Sequence, residues 1–274
     1  STTWDRITAD SGLSMNEIKN AAKFVINSNA TIACWAMGLT QHRNGVAVIQ
    51  EVANLMLIGG HIGKKGAGLC PVRGHSNVQG DRTVGIWERP TESFLSRLDE
   101  ACGISSPRKH GVDVVQAINK MNNGDVNLFF CLGGNFLSAT PDTQYTAKGL
   151  MNVKLTVQVS TKLNRSHIVT GKTALILPCL GRTEVDLQES GKQFVTVENS
   201  MGIVHMSEGS VQPVSPYLRS EPWIISHLCN AVLPNERNWL EFVNNYDNIR
   251  DLMSRALFGF EDYNSRVRQE NGFL

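Results

Sequence analysis

The sequence predicts an α/β fold in which αβα layers surround a mostly parallel sheet. Two observations indicate it: short apolar runs typical of buried strands alternate with segments whose apolar residues recur at helical spacing. A third observation is that tight turns, often with glycine, directly follow several of these runs. Strands that alternate with helices form parallel sheets, and ligands bind at the carboxyl ends of such strands.

The first strand–loop–helix unit lies in the N-terminal part of the chain. Ser14 and Glu17 form a capping-box pattern, which predicts a helix that continues to about Ser28. The apolar run at residues 31–37, TIACWAM, predicts a buried strand. Apolar residues at helical spacing predict a further helix over residues 45–58.

The same alternation continues towards the C-terminus. In chain order it predicts a helix over Val112 to Met121, a strand ending at Leu132, a helix opening at Pro141-Asp142, and strands at 153–159 and 173–177. The remaining predictions are a β-like, turn-rich stretch at 181–212, helices at 220–233 and 237–257, and a frayed end or link at 265–274.

The composition is that of an ordinary soluble globular protein, with 274 residues of which 41% are hydrophobic and 19% charged. The net charge of +1 excludes a strong attraction to nucleic acid or to an anionic membrane. No apolar run is long enough to predict a membrane-spanning segment. The N-terminal segment has no signal-peptide pattern and no initiator Met, so we expect a processed product or a piece of a longer protein.

The six cysteines are far apart in sequence, at residues 34, 70, 102, 131, 179 and 229. They form no CxxC, zinc or ferredoxin pattern, so we expect no metal cluster held by these residues alone. This usage predicts a reducing, cytoplasmic location. Cys34, Cys131 and Cys179 lie in apolar, strand-like runs, which predicts buried free thiols.

Two glycine-containing segments fall short of known phosphate-binding motifs. Gly171-Lys172-Thr173 matches the end of a Walker A loop, but Ser166 stands where that motif requires glycine. The segment GKKGAG, residues 63–68, does not have the order GxGxxG. The glycine cluster at 63–68 favours a helix-ending turn, while a nucleotide-binding α/β domain of another enzyme class stays open. The histidines form no HxxxH or HExxH motif, and no GxSxG elbow is present.

The loop GAGLCPVRGHSNVQGDRT, residues 66–83, is too long and too polar for a simple connection. Its Arg73 offers a rigid fork of donors that suits a carboxylate or a phosphate. Gly74 would let the backbone approach a ligand closely. Arg73 could instead pair with a nearby acidic residue, and the residues by themselves leave both alternatives open.

Five motifs occur in a fixed order along nearly the whole chain: Met37-Gly38-x-Thr40-Gln41-His42, Gly60-His61-Ile62-Gly63-x-x-Gly66-Ala67-Gly68, Pro71-x-Arg73-Gly74-x-x-Asn77-x-Gln79-Gly80, Asp81-Arg82-Thr83-Val84-Gly85 and Lys162-Leu163-Asn164-Arg165-Ser166-His167. Their order and spacing resemble those of the molybdopterin oxidoreductases, and among them the group similar to formate dehydrogenase alpha subunits. No single motif is specific, whereas the combination is.

The resemblance implies part of a molybdenum-dependent oxidoreductase. Such enzymes hold one molybdenum with two molybdopterin guanine dinucleotides, one in each of two central αβα domains, and often a 4Fe-4S cluster in another domain. The implied division places the end of the first αβα domain at 1–75, the second at 76–180, a small β-rich excursion at 181–210, and the helical completion of the second domain at 211–274.

The resemblance also implies what lies outside this chain. The molybdenum ligand and any 4Fe-4S cluster would be held by other residues, so the fragment is expected to be inactive alone. Its implied partners are the remainder of the same polypeptide, a small-molecule substrate and an electron-transfer subunit. The resemblance implies that Met37 and Gln41 contact one dinucleotide and that Asn135 contacts the other. Ser160 and Cys179 fall near two further contacts, and Asn77 is a further cofactor-binding candidate.

Substrate contact is implied for Arg73, which matches an arginine that holds the formate carboxylate, and for His75 beside it. The chain departs from the family pattern at three positions: His75 replaces a usual Gln, Asn135 a usual Asp, and Ala139 a usual hydroxyl residue. The change at His75 makes formate only a candidate substrate. Together the departures leave open a catalytically inactive scaffold of the same fold.

Overall fold

Helices and short parallel strands alternate along the chain, which confirms the predicted α/β class. The structure is a computed structural model that describes residues 2–274. Its internal contacts divide the chain after Val78, and we describe the unit before this point and the unit from Gln79 to Leu274 separately. Within residues 2–274, no helix is both long and apolar enough to cross a membrane.

The first unit contains a two-stranded parallel sheet. Its elements are α1 (Trp4–Ser11), α2 (Met15–Ile26), β1 (Ile32–Trp35), α3 (Met37–Thr40), α4 (Gly45–Ile58) and β2 (Gly68–Pro71), and α5 (Val78–Thr83) begins at its last residue. β1 and β2 pair in register from Ile32 with Gly68 to Trp35 with Pro71. The strand and the helix predicted at 45–58 are confirmed, although the strand is shorter than the apolar run.

The capping box predicted before α2 is present. The Glu17 amide donates to Ser14 Oγ at 3.3 Å, and the Ser14 amide donates to Glu17 Oε2 at 2.8 Å. These bonds satisfy two amides that have no partner inside the helix. Hydrogen bonds from the Ser14 side chain and backbone also hold the pKa of the Glu17 carboxyl below its usual value.

The second unit contains a three-stranded parallel sheet and two antiparallel hairpins. Its elements after α5 are α6 (Glu92–Cys102), α7 (Val114–Asn122), β3 (Leu128–Leu132), α8 (Phe136–Ala139), α9 (Thr143–Asn152), β4 (Leu155–Ser160), β5 (Thr173–Pro178), β6 (Asp186–Gln188), β7 (Gly191–Gln193), β8 (Val195–Glu198), β9 (Val204–Ser207), α10 (Glu221–Val232), α11 (Glu241–Asn244), α12 (Asp247–Ala256) and α13 (Tyr263–Val267). The parallel sheet has the order β3-β4-β5, and β6 pairs with β7 as β8 does with β9.

One hydrophobic cluster supports the parallel sheet. Its buried members are Met121, Leu137, Leu150 and Val153, with Phe129 and Phe136 packed against them. The crossover from β4 to β5 passes close to this cluster at Gly171, where an added Cβ would lie only 2.4 Å from the Val153 carbonyl oxygen. Backbone packing therefore requires a glycine at position 171, which explains this residue without a phosphate-binding role.

The C-terminal segment does not fray, so the first of the two alternatives predicted for residues 265–274, a frayed end, is wrong. Phe273 is 8% exposed and meets the rings of Phe260 and Tyr263 edge to face. Its backbone also pairs with Val204, which joins the chain end to β9. The apolar residues of this segment are too few to show a period, so only tertiary contacts reveal that the segment belongs to the core.

The helix predicted at 237–257 is interrupted, which corrects the sequence-based expectation. It forms α11 and α12 with a break at Asn245 and Tyr246. The Tyr246 amide donates to Gln193 Oε1 at 2.9 Å instead of to a carbonyl one turn earlier. The Tyr246 hydroxyl donates to Asp186 and is also hydrogen-bonded to Ser220, so this tyrosine ties α12 to the hairpin and to α10.

The predicted burial of three thiols is correct for one of them. Cys179 is buried, Cys131 is half-buried and Cys34 is exposed. Cys34 lies in β1, where successive side chains point to opposite faces and alternate between exposed and half-buried positions, so the face that carries Ile32 and Cys34 is uncovered in the described chain. The apolar run therefore predicted the strand correctly, but it predicted the burial of the Cys34 side chain incorrectly.

We predict that Phe273→Ala loosens the hairpin formed by β8 and β9. Removal of a buried phenylalanine side chain typically costs about 3–5 kcal/mol. Hydrogen–deuterium exchange of Val195–Glu198 and Val204–Ser207 should therefore become faster. Phe258→Ala is the matched control because Phe258 is 86% exposed; equal effects of the two substitutions would contradict the role of Phe273.

Candidate functional site

The carboxyl ends of β1 and β2 bring two predicted site segments to the same edge of the first unit. The strands are parallel, and the Val72 amide extends their pairing by donating to the Trp35 carbonyl at 2.7 Å. α3 therefore leaves β1 at the edge where the loop containing Arg73 leaves β2. In α/β proteins this is the edge at which ligands bind.

Met37, the first residue of α3, lies close to the loop that contains Arg73. An added Cβ on Gly74 would be 3.3 Å from the terminal methyl carbon of Met37, so the loop passes close to this side chain. Gln41 Nε2 donates to Met37 Sδ at 3.2 Å, which places the Gln41 amide at the same methionine. Met37 and Gln41 are both exposed, and neither side chain is part of the protein core.

Arg73 and His75 are exposed on the loop, and Asn77 is half-buried. The Val78 amide donates to the His75 carbonyl at 3.4 Å, so the chain turns directly after His75 and enters α5. The first unit thus brings Met37, Gln41 and the Arg73–Asn77 segment to one edge.

The second unit has an equivalent edge, which contains the other three predicted residues. Asn135 follows β3, Ser160 ends β4 and Cys179 follows β5. The Gly133 amide donates to the Val159 carbonyl at 2.7 Å, and the Cys179 amide donates to the Ser160 carbonyl at 3.2 Å. These bonds hold the three strand ends side by side.

The turn before Asn135 depends on two glycines. Gly133 and Gly134 have φ values of 67° and 75°, in the left-handed region that glycine adopts without steric cost. The Gly134 carbonyl accepts from Asn164 Nδ2 at 2.8 Å. The turn is therefore held by the segment that follows β4.

Ser166 orients the Asn135 side chain, and our residue-by-residue assignment did not include it. Its hydroxyl accepts from the Leu137 amide and donates to Asn135 Oδ1, both at 3.0 Å. The Ser166 carbonyl accepts from buried Gln158 Nε2 at 2.8 Å. With its oxygen engaged, Asn135 presents its Nδ2 donor group, which has no hydrogen-bond partner within residues 2–274. The motif Lys162–His167 was the sequence signal that pointed to this segment.

His167 provides a second donor beside this turn. Its Nδ1 accepts from the Asn164 amide at 2.9 Å, so a neutral ring has its proton on Nε2. The residue is 8% exposed, and Nε2 is buried with no partner in the described chain. A buried donor without a partner costs free energy, and it marks a place where an acceptor oxygen would be stabilising.

Ser160 and Cys179 lie at this edge, but their side chains are buried and offer few free polar atoms to a ligand. Ser160 is 9% exposed, and its hydroxyl donates to the Lys162 carbonyl at 3.0 Å. Burial, with smaller effects of Glu221 and Glu184, raises the pKa of the buried Cys179 thiol to about 11. The thiol is therefore neutral near pH 7, which is unsuited to metal binding.

Neither edge has a long helix whose N-terminal partial charge could bind an anion, and neither edge has a metal centre of its own. α3 and α8 contain four residues each, too few for a large helix dipole to develop. Within residues 2–274, no group of three or more His, Cys, Asp or Glu side chains is placed to hold a metal ion. Any ligand at these edges would be bound by side chains and backbone amides of turns.

A sequence profile of the molybdopterin oxidoreductase family matches residues 6–228. The chain belongs to this family of oxidoreductases, whose members use a molybdopterin-type cofactor. The family that the ordered motifs resemble is thus confirmed.

Relatives support this membership over almost the whole chain. An uncharacterized oxidoreductase of Mycobacterium tuberculosis is 52% identical over 271 residues, which are 98% of this chain and 35% of the relative. Protein YdeP of Escherichia coli is 44% identical over 271 residues, 98% of this chain and 36% of YdeP. A Bacillus subtilis protein named "Putative formate dehydrogenase YrhE" is 25% identical over 258 residues, 91% of this chain and 24% of YrhE. The chain spans about a third of the length of the first two relatives.

We predict that Ser166→Ala destabilises the turn around Asn135. The substitution leaves the Leu137 amide and Asn135 Oδ1 without their shared partner, which typically costs about 1–3 kcal/mol at a buried site. Hydrogen exchange of residues 133–140 should accelerate. Ser138→Ala, which changes an exposed hydroxyl in the same turn, should leave the exchange unchanged, and protection equal to wild type in both variants would contradict the role of Ser166.

Proposed function

We propose that the chain forms part of a molybdenum-dependent oxidoreductase that holds two molybdopterin guanine dinucleotides and removes two electrons from a small substrate. The observation that carries this proposal is the convergence of its implied contact residues at two strand edges, one in each unit. In the first unit, the closeness of the Arg73 loop to Met37 supports it most directly, because a Cβ added at Gly74 would lie 3.3 Å from the Met37 methyl carbon. The four-part domain division given above is part of the same proposal.

The first edge suits one dinucleotide. Gln41 is exposed, and its amide offers donor and acceptor atoms of the kind that pterin and guanine edges require. Met37 provides an adaptable apolar surface against which a flat ring can pack. We propose that Asn77, on the loop that follows, contributes a further amide contact.

The second edge suits the other dinucleotide. Asn135 Nδ2 and His167 Nε2 are donors without partners within residues 2–274, and a dinucleotide is rich in acceptor oxygens. Ser160 and Cys179 would form the surface beneath the ligand, because their side chains are buried. The resemblance implies an Asp at position 135 in most family members, and its carboxylate would accept a hydrogen bond. The Nδ2 group of Asn135 donates instead, so this chain would contact a different atom of the ligand.

Arg73 and His75 are proposed to face the substrate. The Arg73 guanidinium can bind a carboxylate through two parallel hydrogen bonds, and it would orient an anion while molybdenum, when bound, accepts its electrons. Formate is the candidate substrate, supported by the resemblance and by the similarity to YrhE, which is named a putative formate dehydrogenase. His75 is a bulkier neighbour than glutamine and can donate or accept a proton, so it would adjust substrate choice.

We expect the complete natural polypeptide that contains this chain to purify with one molybdenum and two guanine nucleotides. Expression in a host that makes the dinucleotide, elemental analysis and nucleotide release after acid treatment would measure both. Absence of molybdenum would contradict the proposal. Tightly bound nicotinamide dinucleotide in its place would instead favour a nucleotide-binding domain of another enzyme class.

We predict that Arg73→Ala in the loaded enzyme lowers formate oxidation by about 10²-fold or more, as loss of a positioned donor does elsewhere. Molybdenum content should stay unchanged because Arg73 would contact substrate and not the cofactor. Arg6→Ala removes an equally charged, exposed side chain of the same unit and should have little effect. Full activity of Arg73→Ala would exclude the proposed role, and no activity in the wild-type loaded enzyme would favour an inactive scaffold.

A further inference from the structure

Two cysteines of the first unit are direct partners in its parallel sheet. Cys34 in β1 and Cys70 in β2 occupy the same register position. Neighbouring strands lie about 4.7–4.9 Å apart, and disulfides form where Cα atoms are about 4.4–6.8 Å apart. The backbone therefore places this pair within disulfide range without rearrangement of the strands.

Both residues are exposed in the described chain, so neither sulfur is enclosed by the core of the unit. Partial desolvation, followed by the Cys70 thiol, raises the pKa of Cys34 above its ordinary value. The other four thiols of the described chain are half-buried or buried, and Cys131 donates to the Gly133 carbonyl at 3.0 Å.

We propose that Cys34 and Cys70 are a reversible dithiol–disulfide site that reacts with small disulfides such as oxidised glutathione. This assignment goes beyond the molybdenum chemistry, because it depends on the strand register and on the exposure of both thiols in the described chain. Exposure gives a small disulfide access to either sulfur, and the partner thiol lies close enough to complete the exchange.

The oxidation takes two thiol–disulfide exchange steps. The thiolate of one cysteine attacks oxidised glutathione, which forms a mixed disulfide and releases one glutathione thiolate. The partner thiolate then attacks the protein sulfur of that mixed disulfide and releases the second glutathione thiolate. The protein loses two electrons and two protons, and the two electrons reduce the glutathione disulfide to two thiols.

The position of the pair gives its oxidation a local structural consequence. β1 leads into α3 and Met37, and β2 leads into the loop that contains Arg73. A covalent link between these strands would restrict their separation at the edge from which both segments emerge. Redox state would therefore affect the mobility of the Arg73 loop.

The experiment uses the complete polypeptide, folded and reduced, and incubates it with oxidised glutathione. After blocking of free thiols, peptide mass spectrometry should detect a Cys34–Cys70 cross-link in most molecules, and dithiothreitol should reverse it. Because thiolate is the attacking species and the Cys34 pKa is raised, the rate should increase about tenfold per pH unit below that pKa. If the folded protein forms no cross-link, or only mixed disulfides, the proposal is overturned.

Single substitutions identify the pair without a requirement for enzyme activity. Cys34→Ser and Cys70→Ser should each abolish the cross-link and leave a mixed disulfide on the remaining thiol. Cys102→Ser and Cys229→Ser are the matched controls and should leave the cross-link intact. Phenylarsine oxide, which bridges neighbouring thiols, should bind one equivalent at this pair in wild type; binding that survives Cys34→Ser would contradict the assignment.

Discussion

Parallel strand pairing is the constraint on which both candidate binding edges depend. It directs the carboxyl ends of β1 and β2 to one edge of the first unit and those of β3, β4 and β5 to one edge of the second. Asn135 and Cys179 are distant in sequence. They lie at the same edge of the sheet only because β3 and β5 both pair in parallel with β4. The same register also places Cys34 beside Cys70.

Polar contacts then decide which atoms the second edge presents. Ser166 engages the oxygen of Asn135, and the Asn164 amide engages one nitrogen of His167. Each residue keeps one nitrogen that these bonds do not use, Asn135 Nδ2 and His167 Nε2. In the proposed site, these two nitrogens would donate to the acceptor oxygens of a dinucleotide.

Large apolar side chains are exposed in each of the two units. Leu175 and Ile176 of β5 are 47% and 39% exposed, and Ile58 at the end of α4 is 87% exposed. Such side chains scattered singly over a surface are ordinary in folded proteins. The chain spans about a third of the length of the first two relatives.

The sequence by itself determined the α/β class, the helix starts and the family, because capping pairs, apolar periodicity and motif order are local signals. It also identified Met37 and Arg73 as site candidates through motif order. Tertiary structure decided what local signals cannot encode: the burial of Phe273, the break in the helix before α12 and the orientation of Asn135 by Ser166. These depend on contacts between residues far apart in sequence, whose energies exist only after the strands have paired.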